Sequence, residues 1–97
     1  MKLIKKSIEM IPGLIKAANV KESEKMILIR YIIPNNTKSY YITRYNREGK
    51  TLHGYEVINL KKTKNTTFKL EILEAIIGIK LDTSFKPRKY KYIPELQ

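Results

Sequence analysis

"KKTKNTTFKLEILEAIIG", Lys61–Gly78, decides the fold class, because its two halves have opposite characters. The first seven residues include no apolar side chain and read as a solvated loop. From Phe68 onward, Leu70, Leu73, Ile76 and Ile77 recur at intervals of three, three and one, as on one buried face of a helix. Gly78 tolerates the left-handed conformation that ends helices, and Thr66 or Thr67 is placed to cap the first turn. Glu71 and Glu74 lie in the half where negative charge is favoured. The stretch therefore predicts a helix over 68–78, entered from a polar loop.

Before it lie three strand-like runs. "KMILIRYIIP", Lys25–Pro34, is rich in β-branched residues and closes on the turn signal Pro34-Asn35-Asn36. It places Ile27, Ile29, Tyr31 and Ile33 on one face and Met26, Leu28, Arg30 and Ile32 on the other, mostly apolar on both sides, as in a central strand. "KSYYITRY" forms a hairpin with it, and after the turn "NREGK" a third strand, "TLHGYEVINL", alternates Leu52, Ile58 and Leu60 against His53, Tyr55 and Val57. Near the start, Ile4, Ile8, Ile11 and Ile15 recur at four, three and four, predicting a first helix that Pro12-Gly13 ends or kinks near Met10. "IKLD" and "FKPRKYKYIP" read as extended, confined by Pro87 and Pro94 to an edge or an irregular tail. The expectation is an α+β fold: a small antiparallel meander of three to four strands with two helices packed on one face, in a single domain over 1–97.

The chain has no cysteine, which removes disulfides, thiolate metal sites and a cysteine nucleophile. Lys5, Lys6, Glu9 and Lys16 interrupt any apolar signal region, and no apolar run approaches the roughly 20 residues that span a bilayer, so a cytoplasmic protein without membrane contact is expected. The net charge of +11 is concentrated in the middle. Residues 25–69 carry ten cations and two anions, whereas 70–97 carry five and four. A field of that sign draws phosphate backbones or acidic protein surfaces. Sixteen of the twenty cations are lysine, in a chain also rich in isoleucine and asparagine, so coding bias is the competing explanation.

Catalysis has few candidates. His53 is the single histidine and reads as structural or half-exposed, and Glu71 and Glu74 read as a solvated helix face. No metal cluster or phosphate loop is recognisable, since the four glycines are isolated, so neither cofactor nor catalytic residue is expected. The densest mixture of cations and aromatics is "FKPRKYKY", Phe85–Tyr92, where alternation would turn Lys89 and Lys91 one way and Tyr90 and Tyr92 the other. A basic patch of Arg44, Lys61, Lys62, Lys64, Lys69, Lys86, Arg88, Lys89 and Lys91 is expected, provided that the C-terminal segment lies beside the loop at 61–67. A two-sided apolar strand also leaves room for a homodimer.

"YYITRY", "GYEVI", "FKLEILEAI" and "FKP", in that order, resemble the bacterial domain of unknown function 2958 family, found largely on plasmids, phages and integrated elements. The likeness runs over nearly the whole chain: "MIPGLI", then Tyr40, Tyr41 and Thr43, then Phe68, Leu70, Leu73 and Glu74, and finally Asp82, Phe85 and Pro87. Lys69 departs from the family's usual serine. The resemblance implies a mobile-element setting and no mechanism. Together with the charge, it leads to the expectation of a non-enzymatic accessory protein of a phage or mobile element in a bacterial host, binding nucleic acid or a nucleoprotein complex. The alternative is an anti-CRISPR-like inhibitor that occupies an acidic surface of a host defence effector.

Overall fold

The computed structural model describes residues 21–33, 37–59 and 61–97, and these form a mostly β protein. In chain order the strands are β1 (Met26–Ile27), β2 (Ile29–Ile32), β3 (Lys38–Asn46), β4 (Thr51–Ile58), β5 (Lys61–Lys69), β6 (Lys80–Leu81) and β7 (Arg88–Lys89). The single α-helix among the described residues is α1 (Leu70–Glu74). One sheet has five antiparallel strands in the order β5-β4-β3-β2-β6, and β1 pairs with β7 in a second, two-stranded sheet. β2 to β5 run as an antiparallel meander whose last strand covers residues expected as a loop.

The α+β expectation with two packed helices is overturned, because two sheets and one five-residue helix are what the described residues form. The helix expected around Leu3–Ile15 lies outside them.

The reversal comes from Lys61–Gly78. Residues 61–69 are not a loop but a nine-residue edge strand, in register with β4 from Ile58↔Lys61 to Thr51↔Lys69. An edge strand is held by its ladder of backbone hydrogen bonds and needs no apolar side chain of its own. Its three threonines suit the pleat, and lysines on an edge discourage pairing with other chains. Hydrophobic periodicity does not register such a strand.

β5 runs straight into α1, so Lys69 stands at the N-cap and no threonine caps the helix. The Leu70 N–H instead donates to the Lys50 carbonyl at 2.9 Å. The helix stops after five residues, below the length that sustains itself, and the chain tightens into i→i−3 turns, Ile76 N to Leu73 O and Ile79 N to Ile76 O. Of the expected apolar face, Leu70 and Leu73 are buried and Ile76 is half-buried, but Ile77 is 94% exposed. Gly78, at φ 83°, turns the chain back toward β6.

Both faces of the large sheet are covered. Ile29, Tyr31, Ile33, Tyr40, Ile42, Tyr45 and Leu52 form a core with Leu70, Leu73 and Ile79. Tyr41, Tyr55 and Val57 form another with Tyr90, Ile93 and Leu96 of the C-terminal segment. Tyr40 and Tyr41 are consecutive on β3, so the two cores lie on opposite faces. The run expected as one strand over 25–34 is divided at Leu28, and Ile27 joins the second core while Ile29 joins the first. A bulge in β3 between Ile42 and Arg44 leaves Thr43 extra, so Ile42 and Tyr45, three residues apart, share a core. The Thr43 hydroxyl donates to the His53 carbonyl at 3.0 Å.

An ionic pair bridges β2 and the segment after β6. Arg30 Nη1 lies 2.6 Å from Asp82 Oδ2, and the guanidinium stacks 5.2 Å from the Tyr41 ring centroid. Burial of Asp82 opposes its charge, but hydrogen bonds from Ser84 and Arg30 outweigh this and hold the carboxyl below its ordinary range. A group depressed on folding contributes stability above its unfolded pKa, near 4, which is lost as the pH falls through the folded value. Urea midpoints measured downward from pH 6 should therefore fall below about pH 4. Asp82→Asn should be less stable than the parent at pH 6 and show a shallower acid decline; the same decline in both would show that Asp82 does not carry it. Glu24, also depressed, by Lys89 and Lys91, supplies part of the remainder.

Candidate nucleic-acid interface

"FKPRKYKY" is largely absorbed by the protein itself. Lys89 Nζ lies 2.8 Å from one oxygen of Glu24 and Lys91 Nζ 3.0 Å from the other. Arg88 stacks 5.5 Å from the Phe85 ring centroid, and Phe85 meets Tyr41 edge-on at 5.9 Å. The expected alternation fails because Tyr90–Tyr92 is a 3-10 turn, not a strand. Tyr90 is buried, and its hydroxyl donates to the Leu96 carbonyl at 2.6 Å, whereas Tyr92 is 62% exposed. The Tyr90 N–H donates to the Lys25 carbonyl at 2.8 Å, and the Tyr41 hydroxyl donates to Glu95. These contacts make the segment a latch across the second core. Lys86 is left exposed beside it.

The other expected site residues lie on the large sheet. Arg44 is on β3, and Lys61, Lys62, Lys64 and Lys69 are all on β5. β5 runs alongside the last turn of the chain, Pro94–Leu96, rather than alongside β7. The nine residues of β5 span roughly 25 to 30 Å at the usual strand rise, so Lys61 and Lys69 stand at opposite ends of an edge and not in a compact patch, a stripe of backbone between them.

At the Lys69 end of that stripe, three strands build a polar surface. Alternation along β4 places Thr51 and His53 on the same face as Tyr55 and Val57, beyond the reach of the second core. The register then sets up two cross-strand rows, Arg44↔His53↔Thr67 and Asn46↔Thr51↔Lys69. Phe68, between Thr67 and Lys69, turns to the other face and packs edge-on against Tyr40 at 5.3 Å. Arg44, Asn46, Thr67 and Lys69 are exposed, and His53 is half-buried.

Strands β3 to β5 contain one carboxylate, Glu56; burial raises the Tyr40 hydroxyl to about 12, and Glu56 beside it pushes the same way. Among the described residues, Arg44 and Lys69 make no ion pair. Burial pushes the His53 imidazole down from its ordinary value, and the charges of Arg44 and Lys25 push it the same way. The imidazole opposite Arg44 is thus held toward its neutral form.

The sequence put Arg44 and Lys69 in one basic patch; the register sets them on β3 and β5 in different rows, and Lys25, Asn46, Thr51 and Thr67 were not among the expected residues. It read His53 as structural or half-exposed, and the ring is half-buried. The row that joins His53 to Arg44 depends on the β3 bulge, which shifts Arg44 one position along the ladder and has no local signal in "YYITRY".

Among the described residues, no three His, Cys, Asp or Glu side chains gather as a metal site, and no helix is long and apolar enough to cross a membrane. No family model, no curated protein and no solved structure matches this chain.

Proposed function

We propose that this chain binds nucleic acid without catalysing a reaction, through the polar surface of β3 to β5 and the lysine-bearing edge of β5. The observation that carries the reading is the pair of cross-strand rows, in which Arg44 and Lys69 stand among hydroxyl and amide side chains without an anionic partner among the described residues. Cations that the fold has not neutralised are available to phosphates, and hydroxyl and amide groups beside them supply further contacts to a phosphate-sugar backbone. Lys61, exposed at the other end of β5, carries the same sign of charge along that edge. In the mobile-element setting that the resemblance implies, such a protein would be an accessory factor acting on nucleic acid or on a nucleoprotein complex.

Fluorescence anisotropy with labelled single- and double-stranded oligonucleotides, from about 50 to 200 mM salt, tests this. Arg44→Gln and Lys69→Gln should each weaken binding and reduce the slope of log K against log salt by about 1. Lys89→Gln and Lys91→Gln, which remove cations already held by Glu24, should change that slope much less. Equal effects from both pairs would remove the reason for choosing the sheet surface. No binding to either oligonucleotide, with a nuclease-resistant complex with one host protein, would replace this reading by the inhibitor alternative.

A further inference from the structure

We infer that Arg44 and His53, with the hydroxyl of Thr67, form a seat for a single phosphate group in the field of Lys25. The inference rests on the reading that nucleic acid lies on the β3 to β5 surface, and it names where one backbone phosphate is held.

The geometry converges from three elements. Arg44 comes from β3 directly opposite His53 on β4, and Thr67 comes from β5 on the far side of His53 in the same row. The Thr67 hydroxyl lies 3.5 Å from His53 Nδ1. Lys25, just before β1, acts on the same imidazole. The charged groups acting on His53 are thus Arg44 from β3 and Lys25 from the segment before β1. β5 brings only the neutral Thr67 in this row, with Lys69 one row away.

Burial first, and then the charges of Arg44 and Lys25, disfavour the protonated form of His53 in the free protein. A bound phosphate reverses the balance. It offsets Lys25 and Arg44, accepts a hydrogen bond from the protonated ring, and makes the imidazolium the favoured form. Binding therefore takes up a proton and strengthens as the pH falls, in the direction that linkage requires for a group whose pKa rises in the complex.

His53 is the single histidine, so its ring C–H resonances report this site without assignment by mutation. The full-length protein would be titrated by NMR in chloride, in inorganic phosphate of matched ionic strength, and with a short thymidine oligonucleotide. The expected result is a His53 midpoint raised by about one pH unit in phosphate and with the oligonucleotide. Oligonucleotide affinity should rise by up to about tenfold per pH unit across the range where His53 is protonated on binding, and this dependence should vanish in His53→Gln. Arg44→Gln should raise the midpoint in chloride and shrink its response to phosphate. An oligonucleotide that binds with the expected salt slope while His53 stays unmoved overturns the phosphate seat and leaves the broader reading standing. A midpoint that moves in phosphate while no oligonucleotide binds supports the seat and overturns the nucleic-acid reading.

Discussion

Gly54→Ala is expected to destabilise the protein by about 3 kcal/mol or more, a large part of the roughly 5 to 10 kcal/mol that a domain of this size possesses. A methyl group at Gly54 would stand 1.9 Å from the Tyr41 carbonyl oxygen and 3.1 Å from the Ile42 Cα. Both are backbone atoms of the neighbouring strand, so no rotamer change relieves the overlap. β3 and β4 would have to part where Ile42 pairs with Gly54, next to the bulge. The consequence reaches the candidate site, because that pairing precedes the Arg44↔His53 row. Gly49→Ala is the control, since its added methyl would meet nothing closer than 3.5 Å. Urea unfolding of the two variants measures the contrast. Equal midpoints for both would mean that the strands do not approach this closely.

Leu96→Ala is expected to cost about 2 to 4 kcal/mol. Leu96 is fully buried and packs with Ile27, Tyr55, Val57 and Ile93 in the second core. Its carbonyl accepts the Tyr90 hydroxyl, and the Gln97 amide nitrogen donates to the carbonyls of Tyr90 and Ile93 at 2.7 and 3.0 Å. The cavity would therefore open at the centre of the latch, and Tyr90, whose ring lies 5.0 Å from that of Tyr55, would lose support. Thermal unfolding should show the loss, and hydrogen exchange should show residues 88–97 opening first. A midpoint unchanged by Leu96→Ala would mean that the C-terminal segment does not cover this face of the sheet.

The two long central strands were legible from their residues, although Ser39–Thr43 of β3 are buried on both faces. "KSYYITRY" became β3, "TLHGYEVINL" became β4 but ended at Ile58, and the Asn46 side chain closes the turn between them by accepting the N–H groups of Glu48 and Gly49. The helix over 68–78 was only partly legible. Leu70 and Leu73 face the core as their spacing indicates, but the β-branched pair Ile76 and Ile77 does not sustain the turn. β5 was illegible because its order comes from pairing with β4 rather than from its own composition. For the same reason the sequence could not tell which of the expected cations the fold itself engages. Lysine and arginine look alike in a sequence whether or not a distant glutamate holds them, and Glu24 lies more than sixty residues from the two lysines that it engages.

Local chemistry alone therefore specified the positive charge, the β3–β4 hairpin and the apolar residues of the central strands, since each depends on residue type and on spacings of two to four. Which cations face outward unneutralised, which aromatics become core, and that His53 stands between Arg44 and Thr67 were set by long-range pairing. A ladder shifted by one bulge changes every cross-strand neighbour, and no short-range pattern encodes that shift.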